Sequence, residues 1–159
     1  MISNEIRDSL KKICLALNNQ HVEYLLIGGV VVGYYGFQRI SGAGYSGRPE
    51  IKQDVDFWYR PTIENYLRLV TALDELNIET RELKNLVFDS KKTFLRIPFD
   101  TFKVEFLPNI AGIDSFIESY KSATQIELDD NKINIISCND LLKTKRLLQE
   151  KLIRLTLRN

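Results

Sequence analysis

Residues 54–59 read Asp-Val-Asp-Phe-Trp-Tyr. Side chains on a strand alternate between faces. Asp54 and Asp56 therefore share one face with Trp58, while Val55, Phe57 and Tyr59 share the other. Two acids at i and i+2 on one strand can hold one divalent cation. Mg²⁺ takes hard oxygen ligands, commonly one or two carboxylates together with phosphate oxygens. The competing reading is plain, since an isolated acidic pair at a strand start is often only solvated.

The chain before the pair supplies a second motif. Residues 4–18 carry Ile6, Leu10, Ile13, Cys14 and Leu17 at helical spacing. Residues 23–27, Glu-Tyr-Leu-Leu-Ile, predict a buried strand that ends at Gly28-Gly29. Glycines after a strand let the backbone approach a phosphate, or simply make a tight turn. The pattern at 29–37 admits either a strand or a glycine-punctuated helix. Residues 38–53 hold Gly42, Gly44 and Gly47 with Arg39, Arg48 and Lys52, which predicts a flexible, positively charged loop over about 40–52.

Beyond the pair, Pro61-Thr62 starts a helix with Thr62 as N-cap. Its apolar stripe is Ile63, Tyr66, Leu67, Val70, Leu73 and Leu76. Residues 78–92 are polar and give no clear element. Residues 93–97 and 102–107 predict two strands around a turn near Pro98–Thr101. In the second, Phe102, Val104 and Phe106 form one face. Glu105 projects from the other, flanked by Lys103 and Leu107, and completes a cluster of three carboxylates if this strand lies beside the first. Residues 113–122 predict a helix and Ile133–Ile136 a strand. A last helix over about 138–156 is capped by Ser137, with Lys145 inside the stripe of Leu141, Leu148, Leu152 and Leu155. A lysine there either snorkels or faces an anion.

Composition narrows the chemistry. The 159 residues carry a net charge of +1, with 44% hydrophobic and 27% charged residues, as expected of one folded domain and not of a nucleic-acid or membrane-surface binder. There is no run of about 18 apolar residues to cross a membrane. The first residues lack the order of a signal peptide, so a cytoplasmic location is expected. Cys14 and Cys138 are the only cysteines, and both predict buried reduced thiols. His21 is the only histidine and falls in a predicted surface loop. Zinc sites and Ser-His-Asp triads lack their parts. Carboxylates, lysines and arginines remain, the tools of metal-assisted phosphoryl chemistry.

The order of motifs resembles the nucleotidyltransferase superfamily, which includes DNA polymerase β and the minimal nucleotidyltransferases. The resemblance rests on Leu25-Leu26-Ile27-Gly28-Gly29, then Asp54-Val55-Asp56, then Val104-Glu105-Phe106-Leu107-Pro108, and covers about residues 22–146. Gln53–Trp58 with Pro61-Thr62, and the segment Ile136–Lys145, are most similar to the bacterial branch associated with abortive-infection and toxin–antitoxin systems. The resemblance implies an α+β (α/β) fold, a nucleotidyltransferase-like mixed sheet flanked by helices in a single domain. It implies Mg²⁺ held by Asp54, Asp56 and Glu105, which would be the catalytic carboxylates. Gly28, Gly29 and Lys145 would bind the triphosphate of a nucleoside triphosphate, ATP first among them. The acceptor would be a hydroxyl of a protein, an RNA or a small molecule. Val30 stands where many active members have serine, the third acid is Glu instead of Asp, and Arg146–Lys151 does not match the branch. These departures support the alternative, a catalytically weak member that acts by binding a protein partner, as in a toxin–antitoxin pair.

Overall fold

The first described helix shows how the sheet is covered. In α1 (Asn4–Asn19), Ile6, Leu10, Ile13, Cys14, Ala16 and Leu17 are buried, and the charged positions between them face out. The computed structural model describes residues 4–36, 54–99 and 101–147. After α1 come β1 (Tyr24–Ile27), α2 (Gly29–Tyr34), β2 (Asp54–Tyr59), α3 (Ile63–Glu75) and α4 (Arg81–Asn85). These are followed by β3 (Leu95–Pro98), β4 (Lys103–Leu107), α5 (Phe116–Lys121), β5 (Thr124–Leu128) and β6 (Asn131–Ile135). A further helix, α6, occupies residues 138–147.

The described strands form one mixed sheet in the order β3-β4-β2-β1-β6-β5. β1 pairs antiparallel with β2 and parallel with β6, while β2 pairs parallel with β4. The protein is therefore of mixed α+β class, a six-stranded mixed sheet with helices. Among the described residues no helix is long and apolar enough to cross a membrane.

One face of the sheet is largely apolar. Val55 lies beside Val104 and Phe57 beside Phe106, with the two rings stacked at 5.0 Å. Tyr24 meets Phe57 edge-on at 5.6 Å, and Tyr59 lies 6.4 Å from Tyr66 of α3. Aromatic cross-strand pairs of this kind add to the burial of their own area. Burial pushes the Cys14 thiol up to about 12, so it stays protonated in this core. Cys138, expected to be buried, is only half-buried.

One element settles an alternative that the sequence left open, and two differ from the sequence expectation. Residues 29–34 are helical, because Val31 and Val32 must both reach the core from one side. β5 is an additional strand, joined to β6 through Asp129 and Asp130, both with positive φ. On α3, Ile63 and Leu67 are exposed and Asn65 is buried. Thr62 does cap that helix, accepting from the Asn65 N–H at 3.2 Å.

Asn65 is buried because it ties three segments together. Its Oδ1 accepts from the Glu23 N–H at 2.8 Å, and its Nδ2 donates to the carbonyls of Glu23 at 2.9 Å and Arg60 at 3.0 Å. Asn65→Ala would leave the Glu23 N–H unpaired, while the Glu23 and Arg60 carbonyls keep the N–H groups of Arg60 and Thr62 as donors. A buried unpaired group costs about 1–3 kcal/mol. The expected loss is about 1–3 kcal/mol in a denaturant titration. A loss below about 0.5 kcal/mol, the level of an ordinary surface change, would show that water replaces the amide.

Candidate functional site

The second face of the sheet is divided. Toward one end Trp58 is covered, meeting Phe116 edge-on at 5.1 Å and donating from Nε1 to the Pro108 carbonyl at 3.1 Å. Toward the other end the acidic side chains of β2 remain half-open. The parallel register of β2 and β4 sets Asp56 beside Glu105 and Asp54 beside Lys103. Asp54, Asp56 and Glu105 thus share one face on two adjacent strands. The alternation that buries Val104 and Phe106 in the core turns Glu105 outward toward Asp56.

Asp54 and Glu105 lie close enough to Asp56 to shift its charge state. Partial burial, with the charges of Glu105 and Asp54 added, pushes the Asp56 carboxyl up to about 6, and Lys103 opposes that rise. Lys103 Nζ lies 3.4 Å from Glu105 Oε1 and 3.7 Å from Asp54 Oδ2. Arg96, opposite Glu105 on β3, brings Nε to 3.2 Å from the same Oε1, and its guanidinium stands over the Phe94 ring at 5.4 Å. Among the described residues no group of three or more His, Cys, Asp and Glu side chains is arranged as it stands to hold a metal ion. Glu105 Oε1 is turned toward two protein cations instead.

Gly28 completes this corner. Ile27 is opposite Asp56 across the antiparallel pair, so the chain leaves β1 directly beside the Asp56 carboxylate. Gly28 has φ 78 and ψ −157, and a Cβ there would lie 2.5 Å from Asp56 Oδ2. Its carbonyl accepts from the N–H groups of Val31 and Val32, which starts α2. Gly29 is exposed, with open space around it.

Lys145 is partly buried on α6. The topology brings the start of that helix to the acidic end of the sheet. β6 runs parallel to β1, and the Ile136 N–H donates to the Leu26 carbonyl at 3.0 Å. Ser137 then accepts from the Asp140 N–H at 3.2 Å as the N-cap. Among the described residues the Lys145 ammonium has no ion-pair partner. The loop at 40–52, with Arg39, Arg48 and Lys52 near it, lies outside the described residues, as do Leu148, Leu152 and Leu155.

The carboxylates and Gly28 were legible before the fold, but the partners of Glu105 were not. The available signal for Arg96 was alternation, since Leu95 and Ile97 point inward and leave Arg96 on the face of Glu105. Comparison of the chain with protein-family models, with curated proteins and with solved structures gives no match.

Proposed function

We propose that this protein is a metal-dependent nucleotidyltransferase that moves a nucleoside monophosphate from a nucleoside triphosphate to a hydroxyl acceptor. The observation that carries this reading is the register that sets Asp56 beside Glu105, with Asp54 on the same face and Gly28 against Asp56. The donor set fits Mg²⁺ in its chemistry, because it offers hard, half-exposed carboxylate oxygens on two adjacent strands. Asp54, Asp56 and Glu105 would hold the ion. Bound there, Mg²⁺ would supply charge neutralisation at the phosphates and a template for in-line displacement.

The chain's own groups would do the rest. Gly28 lets the Asp56 carboxylate lie against the backbone. Gly29, without a side chain, leaves open the start of α2, where the N–H groups of Gly29 and Val30 precede the first bonds to the Gly28 carbonyl. Lys145 would neutralise part of the triphosphate. The acceptor oxygen would form a bond to the α-phosphorus as the bond to pyrophosphate breaks, and the acceptor proton would pass to a nearby carboxylate, Glu105.

The test is a transfer assay. Purified protein, Mg²⁺ and each of the four ribonucleoside triphosphates labelled on the α-phosphate are incubated with the protein itself, bulk RNA or a cell extract as acceptor. The expected result is label in an acid-stable product with one pyrophosphate released per transfer. Absence of label and of pyrophosphate with all four nucleotides, from protein that binds Mn²⁺ and triphosphate, would favour the second reading. That reading is a catalytically weak nucleotidyltransferase-fold protein that acts by binding a protein partner, as in a toxin–antitoxin pair, favoured by Val30 in place of a hydroxyl residue after Gly29.

A further inference from the structure

Lys103 and Arg96 are cations at this site that the reaction outlined above does not use. The Lys103 ammonium is shared between carboxylates of two neighbouring strands, 3.7 Å from Asp54 Oδ2 and 3.4 Å from Glu105 Oε1. Both distances are longer than a tight charge-assisted hydrogen bond. The side chain is 36% exposed, and its register partner is Asp54 itself. A long, flexible stem thus carries a loosely held positive charge into the space between two candidate metal ligands. Arg96 is different. It holds the same Oε1 at 3.2 Å from the far strand, with its guanidinium over Phe94. With Oε1 held there, the other oxygen of Glu105 is the one left to face an incoming ion.

We propose that Lys103 is a resident counter-cation of the carboxylate cluster, displaced from Asp54 and Glu105 onto a triphosphate oxygen when a divalent ion enters, so that metal and nucleotide bind as a pair. The inference rests on the metal-site reading above and deepens it. Unlike Arg96, which meets Glu105 from the far strand, Lys103 stands between Asp54 and Glu105, and a divalent ion bound by both carboxylates would meet strong repulsion from an ammonium in that space. A divalent ion arriving alone must expel the ammonium into water. A divalent ion arriving with a triphosphate brings an anion, within reach of the same lysine stem, that takes up the expelled charge. Arg96 keeps Glu105 oriented throughout, so the exchange needs no backbone movement. Lys103 is in this sense a positioning residue that sets the order of binding.

The experiment uses the full chain and Mn²⁺ as the probe, followed by calorimetry and by the loss of the free-ion paramagnetic signal. Wild type is expected to bind Mn²⁺ weakly alone and more tightly with a triphosphate analogue that cannot be cleaved between the α- and β-phosphates. Lys103→Met, close in length and uncharged, is expected to bind Mn²⁺ alone about tenfold more tightly. The tightening produced by the analogue should shrink by a similar factor. Lys103→Arg, which keeps the charge, should follow wild type. A general loss of structure would weaken Mn²⁺ binding, so a gain separates the proposal from a merely structural role. Should Lys103→Met melt below the working temperature, Lys103→Gln carries the same expectation. Equal or weaker Mn²⁺ binding in the uncharged variant overturns the proposal and leaves the metal site standing, provided Asp54→Asn abolishes binding in wild type. No saturable binding in any variant, or binding untouched by Asp54→Asn, overturns the metal-site reading and the proposal with it.

Discussion

Replacing Asp56 by asparagine is expected to abolish nucleotidyl transfer and, at neutral pH, to raise the melting temperature of the metal-free protein. On the proposed mechanism, loss of one metal-holding carboxylate should lower the transfer rate about a thousandfold or more, roughly 4 kcal/mol of transition-state stabilisation. The stability effect follows from the folded Asp56, pushed up to about 6 from its ordinary 3.8 by burial and by Glu105 and Asp54. The folded state holds this proton more tightly than the unfolded state. The associated stability is fully present below pH 3.8 and is lost as pH rises through about 6. Asparagine has nearly the same shape and no proton to lose, so it escapes that loss. The full difference would correspond to roughly 3 kcal/mol, but the carboxylate is partly open to water and about 1–2 kcal/mol should survive screening. For a domain of this size that is a rise of roughly 2–8 °C at pH 8, shrinking toward zero near pH 4. Saturating Mg²⁺ should reverse the order, because only wild type gains from the ion. Melting curves at three pH values, with and without Mg²⁺, decide it. A lower melting temperature for the variant at pH 8 without metal would show that Asp56 is a structural ligand of the fold and not a strained functional group.

The strands that build this site could be read residue by residue, for a physical reason. β2 and β4 each bury one face in an aromatic core and leave the other half-open, so Val55, Phe57, Val104 and Phe106 alternate cleanly with Asp54, Asp56 and Glu105. β5 carries the same period in Thr124, Ile126 and Leu128, but it is an edge strand with no fully buried residue, and its contrast is weak. The face of α3 was misjudged because Asn65 belongs inside only by virtue of Glu23 and Arg60, whose backbone groups it bonds, the Glu23 N–H above all. Lys103 and Arg96 were illegible in function for a similar reason. Their roles depend on which residue of the neighbouring strand stands opposite, and a one-residue slip would have faced Glu105 with an apolar side chain. The Gly28-Gly29 pair was legible as a special turn. Its two members have separate duties, which only the approach of Asp56 reveals.

Gly28→Ala should therefore do damage that Gly29→Ala does not. Gly28 has φ 78 and ψ −157, a region essentially reserved for glycine, and forcing an alanine there costs about 1–3 kcal/mol. The new Cβ would also stand 2.5 Å from Asp56 Oδ2 and 3.3 Å from its Cβ and Cγ. The Asp56 carboxylate would have to turn away, out of line with Asp54 and Glu105. Overpacking of this kind adds about 1–3 kcal/mol. Together these predict a fall in melting temperature of about 10 °C and loss of Mn²⁺ binding. At Gly29 an added Cβ meets nothing within 4 Å, so alanine there should leave stability within about 1 kcal/mol of wild type. The two causes at Gly28 can be separated by a double-mutant cycle with Asp56→Ala. Removing the carboxylate relieves the clash and leaves the backbone strain. Gly28→Ala should then cost about half as much in the Asp56→Ala background as in wild type. An undiminished cost would assign the whole effect to the backbone, and Gly28 would be a turn residue with no part in shaping the carboxylate site.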